Sequence, residues 1–199
     1  MKDGSLKHAV ILGVFCLGFG ILLALTDLLT ASAIVDRAME DRLNSLAQVI
    51  PANLHDNNPV KDALNMKNAE GKEIVVYRAL KEGKVTGVAY EVQGSGYGGP
   101  IKVMLGLDVE GRILGARVTS HKETPGLGDK IEEKKGDWIL RFTGLSLGNP
   151  PVDKWRVKKD GGQFDQFAGA TITPRGVVGA VRGGMEFYAA NKTQMMEVK

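Results

Sequence analysis

The stretch AVILGVFCLGFGILLAL, Ala9 to Leu25, carries no charged side chain, and it limits what this chain can become more than any other feature. With a few flanking residues it reaches the roughly 20 apolar residues that a helix needs to cross a bilayer. Lys2 and Lys7 precede it, and positive side chains favour the cytoplasmic side. The reading is a single-pass anchor with a cytoplasmic N-terminus and everything after about residue 30 on the far side of the membrane. Ala31-Ser32-Ala33 offers a small-x-small pattern for a cleaved signal peptide. The apolar run is longer than a typical signal core, so a retained anchor is preferred. Both readings deliver the main domain to one compartment.

Beyond the anchor, Ile34, Ala38, Leu43, Leu46 and Ile50 recur at spacings of three to five, and Pro51 stops them. This predicts a helical stalk. Pro51–Gly71 is rich in prolines and asparagines and reads as an irregular linker. Three parts follow: an anchor over 1–30, a stalk and linker over 31–71, and a folded domain over 72–199.

Four strands are predicted in that domain. Glu73–Leu80 turns at Lys81-Glu82-Gly83 into Lys84–Val92. Ile101–Val109 alternates, with Val103, Leu105, Leu107 and Val109 on one face, and Glu110-Gly111 turns it into Arg112–Thr119, where Leu114, Ala116 and Val118 alternate likewise. Connections this short force antiparallel neighbours. With helices at both ends, the fold class is α+β.

Several functions are excluded by what the chain lacks. Cys16 is the one cysteine and lies inside the apolar run, so there is no intrachain disulfide, thiolate zinc cluster or iron–sulfur site. His8, His55 and His121 are too far apart for metal-site spacing. The net charge of +3 is spread along the chain, without the clustered basic stripe that nucleic-acid binding requires.

Two glycine loops and one turn remain as candidates for chemistry. GSGYGGP (Gly94–Pro100) reads equally well as a wide turn or as a ligand contact. SHKETPGLGDKI (Ser120–Ile131) places His121, Glu123 and Thr124 ahead of Pro125-Gly126-Leu127-Gly128. The expectation is that its backbone amides point into one concavity, the kind that receives an anion or a planar ligand. DKWRVKKDGGQFDQFAGAT predicts a short strand and an Asp160-Gly161-Gly162 turn. A final helix follows, with Thr173 as N-cap, Pro174 at its first position, and Val177, Val181 and Tyr188 on its apolar face. Gly183-Gly184 either weakens that helix or admits a close neighbour. Thr171 stands two residues ahead of the cap, uncovered by the small Gly169 and Ala170. A helix N-terminus favours phosphate, so Thr171 suits a phosphoryl group. An ordinary capping turn is the alternative.

DQFAGATITPRGVV is similar to the flavinylation motif of the FMN-binding domain family, in which Asp, two variable residues, Ser or Thr, and Gly-Ala-Thr are read by a flavin transferase. The whole chain resembles the G subunits of Rnf/Rsx ion-translocating electron-transport complexes, which share this domain with the C subunits of sodium-pumping NADH:quinone reductases. The resemblance rests on the N-terminal span, GYGGPI, HKETPGLGDKI, VKKDGGQFDQF and the Gly-Ala-Thr. It implies FMN held covalently, through a phosphoester bond, on Thr171. Gly169, Ala170 and Thr173 would lie beside it, and the ring would lie toward Glu123, Thr124, Gly126, Leu127 and Gly128. Where the family has Ser or Thr, this chain has Ala168. The implied setting is the bacterial inner membrane with a periplasmic flavin domain. The implied partners are the other subunits of the complex and the transferase. Such a protein is an electron-carrying subunit of a redox-driven translocase of the ferredoxin/NAD type, not a stand-alone catalyst. The alternatives are a tethered module that holds FMN or another phosphate ligand without a covalent bond, and a structural subunit with no cofactor.

Overall fold

The computed structural model describes residues 2–68 and 70–197, without the side chains of residues 2–6, 36 and 38, so Lys2 and Ala38 of the expectations above lie outside the described side chains. The chain divides into two compact units, Met1–Asp41 and Arg42–Lys199.

The first unit belongs to helix α1 (Lys2–Ala47). It is the one helix among the described residues long and apolar enough to cross a membrane. Its large apolar side chains, from Val10 and Ile11 through Phe15, Phe19 and Leu23 to Val35, stand exposed. A helix apolar on all sides has lipid as its natural solvent. Where polar atoms do occur they fold back on the helix: the Thr26 and Thr30 hydroxyls donate to the carbonyls of Leu22 (2.7 Å) and Thr26 (2.8 Å). Hydrocarbon offers them no other acceptor.

The second unit is an antiparallel meander of five strands, β1 (Leu64–Lys67), β2 (Glu73–Lys81), β3 (Lys84–Ser95), β4 (Pro100–Asp108) and β5 (Ile113–Ser120), in the order β1-β2-β3-β4-β5. Helix α2 (Ile172–Met196) closes it. The α+β expectation holds. The β2–β3 turn is Glu82-Gly83, with both residues at positive φ (52° and 74°), the conformation that continues the twist of a tight hairpin. Pro51–Gly71, expected to be irregular, contributes β1. This strand is four residues long and sits at the sheet edge, too short for alternation to announce it.

The expected one-face alternation of the central strands is corrected. In β4, residues 103–107 are all buried. One face packs under α2, where Tyr90, Val103, Leu105 and Leu107 meet Val177, Val181, Met185 and Tyr188. The other is covered by Leu46, Val49 and Ile50 with Tyr77, Ala89 and Met104. Those three side chains contribute on the order of 5 kcal/mol. Val49 lies so close to the sheet that a β-carbon on Gly106 would come 2.3 Å from its carbonyl oxygen. On β5 the register shifts opposite Gly106/Leu107, so that Ile113 pairs with Leu107 and Gly115 with Gly106. Ile113 rather than Leu114 therefore enters the core. The turn before it is wider than Glu110-Gly111: Asp108 Oδ1 accepts the N–H groups of Glu110 and Arg112 (2.8 and 2.9 Å).

Between β5 and α2 the chain makes only short 3-10 turns. The strand expected near residue 157 is a single bridge, Val157 to Phe164. Aromatic packing holds this segment. Phe142 stacks on Phe164 (4.7 Å), Trp138 meets Phe142 and Phe167 edge-on (5.3 Å each), and Trp155 lies 5.1 Å from Phe164. Such pairs add about 0.5–1.5 kcal/mol each beyond the area they bury.

Candidate functional site

Three segments converge at one end of the sheet: the β3–β4 hairpin tip, the loop after β5, and the turn into α2. Small residues set how closely they approach. A β-carbon on Gly94 would lie 2.2 Å from the Gly176 carbonyl oxygen, and one on Gly176 would lie 2.2 Å from that of Ser95. Helix α2 therefore starts with its backbone against β3.

Glu123 ties the three together. It is 6% exposed. Its Oε1 accepts the Gly98 N–H (2.8 Å), its Oε2 accepts the Tyr97 N–H (3.3 Å), and the Thr173 hydroxyl donates to Oε2 as well. Gly96 and Gly128 leave room for that carboxylate, since a β-carbon on either would come within 3 Å of it. Burial alone would raise the Glu123 carboxyl. The donors from Thr173, Gly98 and Tyr97 outweigh burial, and the net direction is down. The Glu123 N–H donates to His121 Nδ1 (3.0 Å), and His121 Nε2 faces Glu132 (2.9 Å). A neutral His121 therefore carries its proton on Nε2.

Two expectations about backbone groups are corrected. The amides of Leu127 and Gly128 do not point into a concavity; both donate to the Thr124 carbonyl (3.1 and 3.2 Å), because Gly126 at φ +79° turns the chain back on itself. Thr173 is not the N-cap. Helix α2 begins at Ile172 with Thr171 in the capping position, and Thr171 makes no side-chain cap bond. Thr173 is fully buried, its hydroxyl spent on Glu123. Gly176, where α2 meets β3, lies just past the first turn of that helix. That turn leaves N–H groups without intrahelical partners.

Around this helix start lies a cavity of about 320 Å³. Thr171, Gly169, Ala170 and Thr173 form one side of it, and Glu123, Thr124, Leu127 and Gly128 the other. Gly126, at the outer bend of its loop, is not on the wall. Tyr97, from the Gly94–Pro100 loop that reads equally as a turn or a ligand contact, and Ile172, which was not anticipated, are also on it; they stand 77% and 46% exposed at the rim, beside Leu127 at 44%. A bulky apolar residue between glycines, Gly96-Tyr97-Gly98, was the available signal for the first. Gly169 at φ +76° brings the turn to Leu127, 3.6 Å from where a β-carbon would stand.

Asp165 is not on this wall. Its carboxylate pairs with Lys158 and Arg141 (2.6 Å each), and its carbonyl accepts Trp138 Nε1 (2.9 Å). The Lys158 contact, chiefly, holds its carboxyl below the usual range. Neither cation could be paired with Asp165 from sequence spacing.

A meander under a single helix, with an uncapped threonine and a largely small-walled cavity at the helix N-terminus, defines a ligand-binding α+β domain joined to a membrane-length helix. Residues 96–186 match the FMN-binding domain family, and residues 1–49 the RnfG N-terminal region. The chain is 53% identical, over 94% of its length and 82% of the relative's, to the G subunit of the ion-translocating oxidoreductase complex of Stutzerimonas stutzeri. It is 47% identical, over 98% and 89%, to that of Cereibacter sphaeroides. The chain belongs to the family of G subunits of ion-translocating oxidoreductase complexes. NqrC of Shewanella oneidensis shares its fold, with a TM-score of 0.50 and 23% identity over 73% of this chain and 77% of that one.

The cavity residues fit FMN. Its volume is at the low end of the roughly 300–1,000 Å³ of small-molecule sites, enough for a phosphate and part of a planar ring. The helix N-terminus suits the phosphate, and Tyr97, Leu127 and Ile172 offer apolar surface to a ring.

Proposed function

We propose that this chain carries FMN in the cavity at the start of α2, joined by a phosphoester bond to the Thr171 hydroxyl, and passes electrons within an ion-translocating redox complex of the ferredoxin/NAD type. The observation that carries the reading is Thr171 itself: a threonine in a helix capping position whose hydroxyl caps nothing, flanked by Gly169 and Ala170 on the cavity wall. A flavin transferase makes the bond. The Thr171 hydroxyl would be the group that holds the FMN phosphate in that bond. FMN supplies one- or two-electron redox chemistry when bound. The chain's own residues do the rest. The α2 N-terminus faces the phosphate with its positive end. Gly169 and Ala170 leave Thr171 accessible to the transferase, and Glu123 locks the hairpin, loop and helix into one wall. A covalent carrier is not lost from a periplasmic domain, which α1 tethers to the bacterial inner membrane with the N-terminus cytoplasmic.

The test is Thr171→Val, which keeps the shape and removes the oxygen. On denaturing gels of membranes containing the transferase, the wild-type band should fluoresce under ultraviolet light and the variant band should not. Peptide mass analysis should place FMN on the peptide containing Thr171. FMN on Thr173, or none on the wild-type chain, overturns the reading. Ala168, standing where the family has Ser or Thr, favours one second reading: FMN bound in the same cavity without the covalent bond, which would appear as flavin released on denaturation.

A further inference from the structure

Helix α2 has a second face, away from the cavity. Gly179 and Gly183 stand one turn apart on it, and a β-carbon on either would meet nothing within 4 Å. Opposite them runs the segment of Trp155 and Val157, whose side chains are buried. Between helix and segment lies an open groove of about 350 Å³, with Arg156, Arg175 and Arg182 on its walls. Arg175 grips Asp160 with two nitrogens (2.6 Å each), and Arg182 Nε lies 3.0 Å from Glu186. Arg156 forms no ion pair within 4 Å among the described residues; the carboxylate that feels its charge is Asp160, already held by Arg175, so three guanidinium groups face two carboxylates in the groove.

We propose that this groove is the docking surface for an acidic segment of another subunit of the complex. A carboxylate of that segment faces Arg156, and its backbone lies along Gly179 and Gly183. Two observations select a polypeptide over a small anion. Arg175 and Arg182 already hold carboxylates, so a free phosphate finds one guanidinium without a close ion pair. The glycines leave a flat strip along the helix that only an extended partner would cover. A guanidinium is also the cation best shaped for a carboxylate across an interface. The location gives the contact a purpose, and this clause rests on the FMN reading above. Gly179 is eight residues along the chain from Thr171, the cap of this helix, about 12 Å at 1.5 Å per residue, so a partner seated there lies within about 12 Å along the axis of the flavin's attachment residue.

The experiment uses the complete complex purified from membranes through a tag on a different subunit. Gly179→Leu fills the strip, Arg156→Glu reverses the unpaired charge, and Lys84→Glu, on the exposed end of β3, is the control. The two groove variants should lower the amount of this subunit retained through a salt wash by about tenfold, the scale of a truncated or reversed interface contact. Lys84→Glu should retain it, gel flavin fluorescence should stay at the wild-type value in all three variants, and the melting temperature should not fall in the groove variants. A photo-crosslinking residue placed at Gly183 should join this chain to another subunit at a peptide rich in Asp or Glu. Unchanged retention in both groove variants overturns the proposal. So do crosslinks only to a second copy of this chain, or a melting shift with inorganic phosphate that Arg156→Glu abolishes while retention is unaffected. Retention does not depend on flavin, so a wild-type chain lacking FMN would sink the cofactor reading and leave this test standing.

Discussion

Replacing Glu123 would show whether one buried carboxylate holds the cavity together. In Glu123→Ala the Thr173 hydroxyl, fully buried, loses its acceptor, at about 1–3 kcal/mol for an orphaned buried group. The Tyr97 and Gly98 amides sit on an exposed hairpin, where water replaces much of what they lose. The emptied space beside Gly96 and Gly128 adds about 1 kcal/mol. The total is about 3 kcal/mol, which for a domain of this size lowers Tm by roughly 6–12 °C. Glu123→Gln keeps the volume, should cost about half as much, and isolates the charge. Because the folded carboxyl titrates below its ordinary value, its contribution is complete above the unfolded value, near 4.3 for glutamate. It is lost as pH falls through the folded value. Thermal unfolding of the full chain in detergent, from pH 7 downward, should therefore show the gap between wild type and Glu123→Gln closing in acid. A gap that stays constant with pH, or an alanine variant within 0.5 kcal/mol of wild type (about the noise of an uninvolved surface change), would refute the clamp.

Thr173→Val should lose about 1.5–2 kcal/mol, the value of a hydrogen bond to a charged group, and keep its covalent label; loss of gel fluorescence would mean that the two threonines are not separable. Gly176→Ala places a β-carbon 2.2 Å from the Ser95 carbonyl oxygen and should cost about 3 kcal/mol. Gly179→Ala, with open space before it, should gain about 1 kcal/mol from helix propensity; equal melting temperatures for the two alanine variants would contradict the close docking of α2 on β3. An alkaline phosphatase fused after Lys199 should be active and a reporter that works only in the cytoplasm silent, because Lys2 and Lys7 flank the apolar span on its N-terminal side.

Much of the cavity wall was legible because its residues lie in short contiguous stretches. Glu123, Thr124, Leu127 and Gly128 occur within six residues, and Gly169, Ala170, Thr171 and Thr173 within five, so two loops needed only to meet. What could not be read was which atoms face which. Thr173 looks like an N-cap because Pro174 follows it, yet it is buried and bonded to a carboxylate 50 positions earlier. The Leu127 and Gly128 amides look available, yet they close their own turn.

The amino-acid sequence by itself determined the membrane-length helix, the antiparallel order of the four longer strands and the two loops that carry the candidate chemistry. Each of these depends on neighbours along the chain: an unbroken apolar run, a period of two, a turn too short for a crossover. The tertiary structure alone decided that β4 is covered on both faces, that a register shift puts Ile113 and not Leu114 in the core, and that Thr171 and not Thr173 stands at the N-cap of α2. Those outcomes depend on contacts such as Val49 with Gly106, Gly94 with Gly176, and Glu123 with Thr173. Their energies exceed local propensities of a few tenths to about 1 kcal/mol, and no window along the sequence contains both partners.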